Sequence, residues 1–544
     1  MVITDLLSRN AALYGDEVSL VEISPAKVET AGLTWHEYDM NHIQPAVDFR
    51  REMTWREFDD QANRFANFLL SRNLGKGKKV AILMVNCLEW LPIYFGILKA
   101  GALAVPLNFR YTADEIKYCL QLSQSDALIF GEVFTQRIEA IKDGLPEIQL
   151  WLFLGENKPD FAEDYPQVTT SFSAEAPAVD LQPEDDAAIY FSSGTTGFPK
   201  AILHDHASLY SACVTEQKHH GQTRKDNFLC IPPLYHTGAK MHWFGSLISG
   251  GKAVLLCGVK PQWIMQAISD EKATIVWLLV PWAQDILDSI ESGLIDLGEY
   301  HLDQLRLMHI GAQPVPPSLV KRWLRYFPNH DYDTNYGLSE SIGPGCVHLG
   351  VGNIDKVGAI GKAGYHWQTK IVDENKNPVP QGAVGELAVK GPGVMKCYFN
   401  DVEATEAVLQ DGWLFTGDMA KTDEDGFIYL VDRKKDVIIS GGENIYPVQI
   451  EDFLRANEAV KDVAVIGIPD KRLGEIPAAI IEVKENYTLD KQHVDSFCQD
   501  LPRYKRPKRV IFAEVPRNPT GKIEKPKLRE MYCGEGLIAS QLNS

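Results

Sequence analysis

The stretch KVAILMVNCLEWLPIYFGILKAGALAVPLNFRYTADEIKYCLQLSQSDALIFG, residues 79–131, decides the fold class. KVAILMV is an apolar run of strand length, LEWLPIYFGILKAG is long enough for a helix and stops at Gly101, and ALAVPLN is a second strand. Thr112 opens a second helix, TADEIKYCLQLSQ, and ALIFG is a third strand. Strand–helix–strand–helix–strand predicts a parallel sheet covered by helices, an α/β architecture. The alternation returns at ATIVWLLV with PWAQDILDSI, and at LRLMHIG with PPSLVKRWLRYF. Pro281 and Pro316 sit near the helix starts, where a missing N–H costs nothing.

Beyond about residue 365 the pattern changes to short strands punctuated by Gly and Pro, which predicts a β-rich subdomain. After IYLVDRKKDVIISGGENIYP come a helix (VQIEDFLRAN), strands (VAVIGI, AAIIEV), a helix (KQHVDSFCQD) and a strand (RVIFAEV). This tail, about a hundred residues long, is large enough to fold as an α+β unit. The expected organisation is a large N-terminal domain, 1–434, of parallel sheets covered by helices plus the β-rich subdomain, and a small mobile C-terminal α+β domain, 435–544.

A chain of 544 residues exceeds what one core serves, and 45% apolar with 23% charged residues is globular composition. The net charge of -19 argues against nucleic acid or an anionic membrane surface as the main partner, so any anionic ligand must meet local positive charge. Nine cysteines without CxxC pairs read as reduced thiols rather than a disulfide framework or structural metal site. The start, MVITDLLSRNAALYGDEV, lacks the basic and apolar regions of a signal peptide, and the longest apolar runs fall short of the roughly 18 residues of a membrane helix. A cytoplasmic protein without a membrane span is expected.

In AAIYFSSGTTGFPKA (187–201) a strand runs into a loop rich in hydroxyls and glycine. It is not a Walker A loop: Gly194 and Gly197 stand too close together, and Pro199 rather than Gly precedes Lys200. No G-x-G-x-x-G follows a strand, so the dinucleotide fingerprint is missing. By itself the loop suits either a solvated turn or a cradle in which hydroxyls and backbone N–H groups hold a triphosphate.

Four further stretches accompany it: NYGLSES (335–341), GWLFTGD (412–418), VDRKKDVIISGGENIYPVQIE (431–451) and PRNPTGKIEK (516–525). In order and spacing the five resemble the adenylate-forming superfamily from near the start to about residue 530, and most of all its AMP-forming acyl-CoA synthetases. The resemblance implies an acid–thiol ligase using ATP, Mg²⁺, coenzyme A and a small-molecule carboxylic acid. It implies that Ser192, Ser193, Gly194, Thr195, Thr196 and Gly197 hold the β- and γ-phosphates with Lys200 nearby. Asn335, Tyr336 and Gly337 would lie at the adenine, Ser339 would face the α-phosphate, and Glu340 would act in catalysis as the Mg²⁺ ligand; relatives more often carry Thr at 339, but Ser keeps the hydroxyl. Asp418 would accept the ribose hydroxyls beside Arg433, and the segment Gly311, Ala312 and Gln313 would separate acyl group from adenine.

Lys522 matches the catalytic lysine that bridges the attacking carboxylate and the α-phosphate. Lys435 matches the hinge whose rotation withdraws Lys522 and brings Gly441 and Gly442 beside the pantetheine arm. His236, in PPLYHTGA, matches a histidine beside the acyl pocket and coenzyme A tunnel. The basic run RYKRPKR (503–509) is either a solvated face or a contact for nucleotide phosphates of coenzyme A.

Six of the fourteen histidines fall between His204 and His242, in no spacing that matches a zinc motif. Trp243 and Trp282 would shorten the acyl pocket and favour a compact cyclic, aromatic or medium-chain acid, while Lys240 and His242 are polar where relatives often carry small apolar residues. The rival readings are a stand-alone adenylation enzyme delivering to a carrier protein, a long-chain fatty acyl-CoA ligase and a luciferase-like oxygenase. A homodimer is the assembly to be tested.

Overall fold

The segment 79–131 folds as its pattern predicts. Strands Lys79–Leu83, Leu103–Pro106 and Ala127–Gly131 pair in parallel, separated in the chain by helices Trp90–Lys99 and Ala113–Ser123. Thr112 caps the second helix: its hydroxyl accepts from Glu115 N–H while the Glu115 carboxylate accepts from Thr112 N–H. The first helix is buried along its whole length. A side-chain carbon at Gly96 would stand 2.9 Å from both Ala62 O and the Phe65 ring, so this glycine lets the helix approach its neighbour Trp55–Ser71. Phe58, Phe65 and Phe95 are fully buried there, each contributing about 1.5–3 kcal/mol of apolar burial.

The computed structural model describes residues 1–25, 49–192, 199–311, 315–342, 345–440, 443–517 and 523–533. Ser193, Gly194, Thr195, Thr196, Gly197, Ala312, Gln313, Gly441, Gly442 and Lys522 lie outside the described residues.

The chain divides into two compact units: Met1–Thr369 with Val389–Leu414, and Lys370–Ala388 with Phe415–Ser544. The β-rich segments 370–388 and 415–434 thus group with the C-terminal residues, ahead of the boundary expected at 434/435.

Among the described residues the larger unit holds two large sheets and a small one. One has eight strands in the order Cys397–Tyr398, Ala201–Asp205, Asp186–Phe191, Leu103–Pro106, Lys79–Leu83, Ala127–Gly131, Leu150–Leu154, Glu163–Asp164. Its antiparallel pair Asp186–Phe191 and Ala201–Asp205 flanks the Ser/Thr/Gly loop. The other has seven strands in the order Asp331–Asp333, Leu307–Gly311, Ile275–Leu279, Asn227–Cys230, Lys252–Leu256, Val18–Ser24, Phe49–Thr54, all parallel except the last pair. A small sheet of Asn335–Tyr336, Val347–His348 and Lys362–Ala363 carries the NYGLSES stretch.

In the smaller unit the long hairpin Val460–Asp470 and Gly474–Val483 sorts its side chains by strand period. Val463 and Val465 join one core with Ile450, Leu454 and Val494, under helices Pro447–Arg455 and Lys491–Phe497. Ala464 and Ile466 join another with Leu528 of helix Lys525–Cys533. All nine cysteines are free. Among the described residues no helix is long and apolar enough to cross a membrane.

Candidate active site

The hydroxyl-rich loop is closed at its base. Ser192 N–H donates to Lys200 O at 3.0 Å and Lys200 N–H donates to Ser192 Oγ at 3.1 Å, so the hairpin strands hold Ser192 and Lys200 together. The Lys200 ammonium lies 4.6 Å from the centre of the Tyr398 ring. Tyr398 reaches this point because Cys397–Tyr398 pairs with the strand that follows the loop. Burial and the neighbouring Glu340 carboxylate push the Tyr398 phenol up, so it keeps its proton and donates to Glu340 Oε1 at 2.9 Å. Lys200 and Glu340, 140 positions apart, are thereby joined through one tyrosine.

Ser339 is held from two sides. Burial pulls His204 down to about 4, so its ring is neutral, and Nε2–H donates to Ser339 O at 2.8 Å. Ser339 Oγ stands 3.5 Å from Thr237 Oγ1, on the helix Thr237–Ser249. His236 is that helix's N-cap, its Nδ1 accepting from Gly238 N–H at 3.2 Å. Ser192, Lys200, Ser339, Glu340 and His236 are therefore linked through Tyr398, His204 and Thr237, none of which the motif reading singled out. The first two sit in strands and the third at a helix start, with no local pattern that marks them.

Asn335 is the register partner of His348, and its Nδ2 is buried without a partner among the described residues. Tyr336 is buried opposite Val347, Gly337 is half-buried, and Gly311 ends the strand Leu307–Gly311.

In the smaller unit Asp418 and Arg433 face each other across antiparallel strands, with Arg433 Nε 2.8 Å from Asp418 Oδ1. Asp418 is only 4% exposed. Gly417 before it has φ +73°, a left-handed conformation that suits glycine, and its N–H donates to Glu386. Lys435 follows at an exposed turn in which Asp436 N–H donates to Arg433 O at 2.8 Å.

The polar residues of the expected acyl region take definite directions. Trp243 packs against Phe58 and Phe95 and is fully buried, so it is a core residue rather than a pocket wall. Lys240 is fully buried, with its Nζ 5.4, 4.5 and 4.2 Å from the ring centres of Trp90, Tyr94 and Tyr190. His242 turns the other way and bonds Glu216 Oε1 at 2.7 Å. Glu216, His220, His242, His309, Asp333 and His348 form one buried cluster. Of the six histidines between His204 and His242, His220 and His242 thus meet His309 and His348 in space. Trp277, not singled out in the sequence, spans two glycines: side-chain carbons at Gly238 and Gly311 would stand 3.2 Å from its Cη2 and its Nε1 respectively.

Comparison with known proteins identifies the family. Residues 36–399 match the family described as AMP-binding enzyme, and residues 449–522 match the AMP-binding enzyme C-terminal domain. The chain is 33% identical over 495 residues, 90% of its own length and 95% of the relative's, to the long-chain-fatty-acid–CoA ligase FadD13 of Mycobacterium tuberculosis. It is 32% identical over 473 residues, 86% and 92% of the two chains, to a feruloyl-CoA synthase of Amycolatopsis. Among solved structures, the anthranilate CoA ligase AuaEII in complex with anthranoyl-AMP superposes with a TM-score of 0.86 at 26% identity, covering 98% of this chain and 97% of that one. The chain belongs to the AMP-binding enzyme family, among its AMP-forming acyl-CoA ligases.

Proposed function

We propose that this enzyme activates a compact ring-bearing or medium-chain carboxylic acid as its acyl-adenylate and passes the acyl group to coenzyme A. The observation that carries the chemistry is the chain of contacts Lys200–Tyr398–Glu340, beside Ser339, at the closed base of the hydroxyl-rich loop. A cation, a carboxylate and a hydroxyl meet where a strand releases a loop of N–H and hydroxyl donors, which suits a nucleoside triphosphate.

In the first half-reaction a carboxylate oxygen of the acid attacks the α-phosphorus and pyrophosphate leaves. The loop 192–197 and Lys200 hold the departing phosphates, and Lys522 neutralises charge between the carboxylate and the α-phosphate. Glu340 fits a Mg²⁺ site: it supplies one anionic oxygen donor oriented by Tyr398, with phosphate and water completing a hard-cation shell. Such an ion would offset phosphate charge. Asp418 accepts from the ribose hydroxyls and Arg433 lies beside it. In the second half-reaction the coenzyme A thiol attacks the acyl carbon and AMP leaves, after rotation about Lys435 removes Lys522 and presents Gly441 and Gly442.

For the acid, support comes from Trp277, a flat indole across Gly238 and Gly311, and from overall similarity to the anthranilate and feruloyl enzymes. The 33% identity to FadD13 favours a second reading, a long-chain fatty acid.

The test is coenzyme A-dependent AMP release over a panel of ring, medium-chain and long-chain acids, with thioester measured in parallel. AMP without thioester would sink the ligase reading. Lys522→Ala should abolish adenylate formation yet largely spare thioester formation from supplied acyl-adenylate; equal loss of both halves would refute this division of labour.

A further inference from the structure

One face of the seven-stranded sheet carries an unusual polar set. His309 and Gly311 share a face because they are two residues apart on one strand. Register places Trp277 beside His309, Leu279 beside Gly311, and Asp333 on the other side of His309. Helix His206–His220 brings Glu216 and His220 to this face, and helix Thr237–Ser249 brings His242, whose ring centre lies 4.5 Å from that of His309 and 4.8 Å from that of Trp277.

The hydrogen bonds determine where the protons sit. His220 lies between two carboxylates, hydrogen-bonded through Nε2 to Asp333 Oδ2 at 3.0 Å and ion-paired with Glu216, whose Oε1 is 2.7 Å from Nδ1, and this double pairing holds it as an imidazolium. Its Nε2–H is also 3.2 Å from His309 Nδ1, which is therefore the acceptor. Burial and the neighbouring histidines hold His309 neutral, so its own proton is on Nε2. That Nε2–H and the Trp277 Nε1–H are both buried without a partner among the described residues. Both face Gly311: a side-chain carbon there would stand 3.5 and 3.2 Å from them. An unmet buried donor costs about 1–3 kcal/mol, so two aimed past one glycine make a place for an acceptor.

The sign of the surroundings narrows the acceptor. Behind the donors stand two carboxylates, Glu216 and Asp333, against one imidazolium, and the nearby Arg306 is paired with Asp226. This residual negative charge disfavours an anionic group beside these donors.

We propose that the acid activated by this enzyme carries a neutral hydrogen-bond acceptor, a carbonyl or hydroxyl oxygen remote from its carboxylate, which accepts from Trp277 Nε1–H and His309 Nε2–H beside Gly311. The inference rests on the acyl-CoA ligase reading and specifies its substrate class. A site built to hydrogen-bond a substrate oxygen discriminates against the analogue lacking it, because the donors are then left unmet.

The test uses the full-length enzyme and acids paired to differ only in the acceptor: cyclohexanecarboxylate against 4-oxocyclohexanecarboxylate, and hexanoate against 5-oxohexanoate. Cyclohexane-1,4-dicarboxylate is the anionic arm. The expected result is that kcat/KM for thioester formation favours an oxo acid over its plain partner by about tenfold or more in at least one pair. That ratio should fall about tenfold in Trp277→Phe, which keeps the ring and loses the donor, and in His309→Leu, with partial return in His309→Gln.

A ratio at or below one in both pairs, a ratio unmoved by both Trp277→Phe and His309→Leu, or preference for the dicarboxylate would each overturn the inference while leaving the ligase reading intact. Ligand atoms of Glu216, His220 and His242, and of His220, His309 and Asp333, are close enough to gather a metal ion. Stoichiometric metal in the purified protein would also overturn it, since His220 would then be a ligand rather than a donor. No thioester from any acid in any series would overturn the ligase reading itself.

Discussion

Replacing His220 by leucine should destabilise the enzyme by about 3–5 kcal/mol near pH 6, because it leaves two buried carboxylates without their counter-charge. His220, Glu216 and Asp333 are each no more than 1% exposed. Burial pulls the imidazolium down, but Glu216 and Asp333 outweigh it and push it from its ordinary 6.5 up to about 10. At about 1.4 kcal/mol per pH unit this corresponds to roughly 5 kcal/mol in favour of the charged form, at the upper end of the cost of breaking a buried pair.

The sign follows from a base whose value rises on folding. The contribution is complete below about pH 6.5, declines as pH rises, and is gone above about pH 10. At pH 9 roughly 1–2 kcal/mol should remain. Burial raises Glu216 and Asp333, but their histidines outweigh it and hold both well below the carboxylate range. Their contribution is therefore present above the ordinary carboxylate range and lost as pH falls through it into strong acid. Urea unfolding of wild type and His220→Leu, followed by tryptophan fluorescence at pH 6 and 9, measures the difference. A gap under about 1 kcal/mol at pH 6, or one that does not shrink by pH 9, would refute the reasoning.

Two further outcomes are expected. Lys240 has three aromatic rings around it and, among the described residues, no acceptor for its Nζ, and burial holds the amine well below its ordinary 10.5, so folding disfavours its charged form. Lys240→Met should raise stability by about 1–4 kcal/mol at pH 7, with the gain closing as pH approaches 10.5; a lower melting temperature at pH 7 would count against it. Asp418→Ala should raise the KM for ATP by about 10- to 100-fold through loss of charge-assisted hydrogen bonds. It should change stability little, since its Arg433 partner is 38% exposed, and an unaltered KM would remove Asp418 from the nucleotide site.

Much of the architecture was legible before any coordinates. KVAILMV, ALAVPLN and ALIFG are the parallel strands they resemble, and Thr112 caps the helix it opens. The tail from VQIEDFLRAN to RVIFAEV holds the helices and strands read from it. Strand Val18–Ser24 and the edge strand Phe49–Thr54 lie outside the strand–helix alternation visible in the sequence, and they pair with each other and with Lys252–Leu256. At the candidate site the five motifs named Ser192, Lys200, Ser339, Glu340, Asp418 and Arg433, and the structure links the first four and pairs the last two. Nothing in the sequence marks Tyr398, because a tyrosine at a short edge strand has no pattern; only pairing with Ala201–Asp205 brings it between Lys200 and Glu340. Trp243 stands in the core where the sequence suggests a pocket wall, since a helix position alone does not say which neighbour its side chain meets.

The sequence alone determined the elements and the reaction class. Strand and helix periods, caps and motif loops are local, written within 5 to 20 residues by sterics, solvation and backbone hydrogen bonding. Only the tertiary structure decided which polar groups meet on one face of the sheet. His220 and Asp333 lie 113 residues apart, on a helix and a strand, and they meet because parallel register sets Asp333 beside His309 and Trp277 while the covering helices deliver Glu216, His220 and His242 to the same face. Long-range register and helix packing carry no local signature, so the histidines that looked scattered in the chain became a single charged cluster only when the sheet closed under its helices.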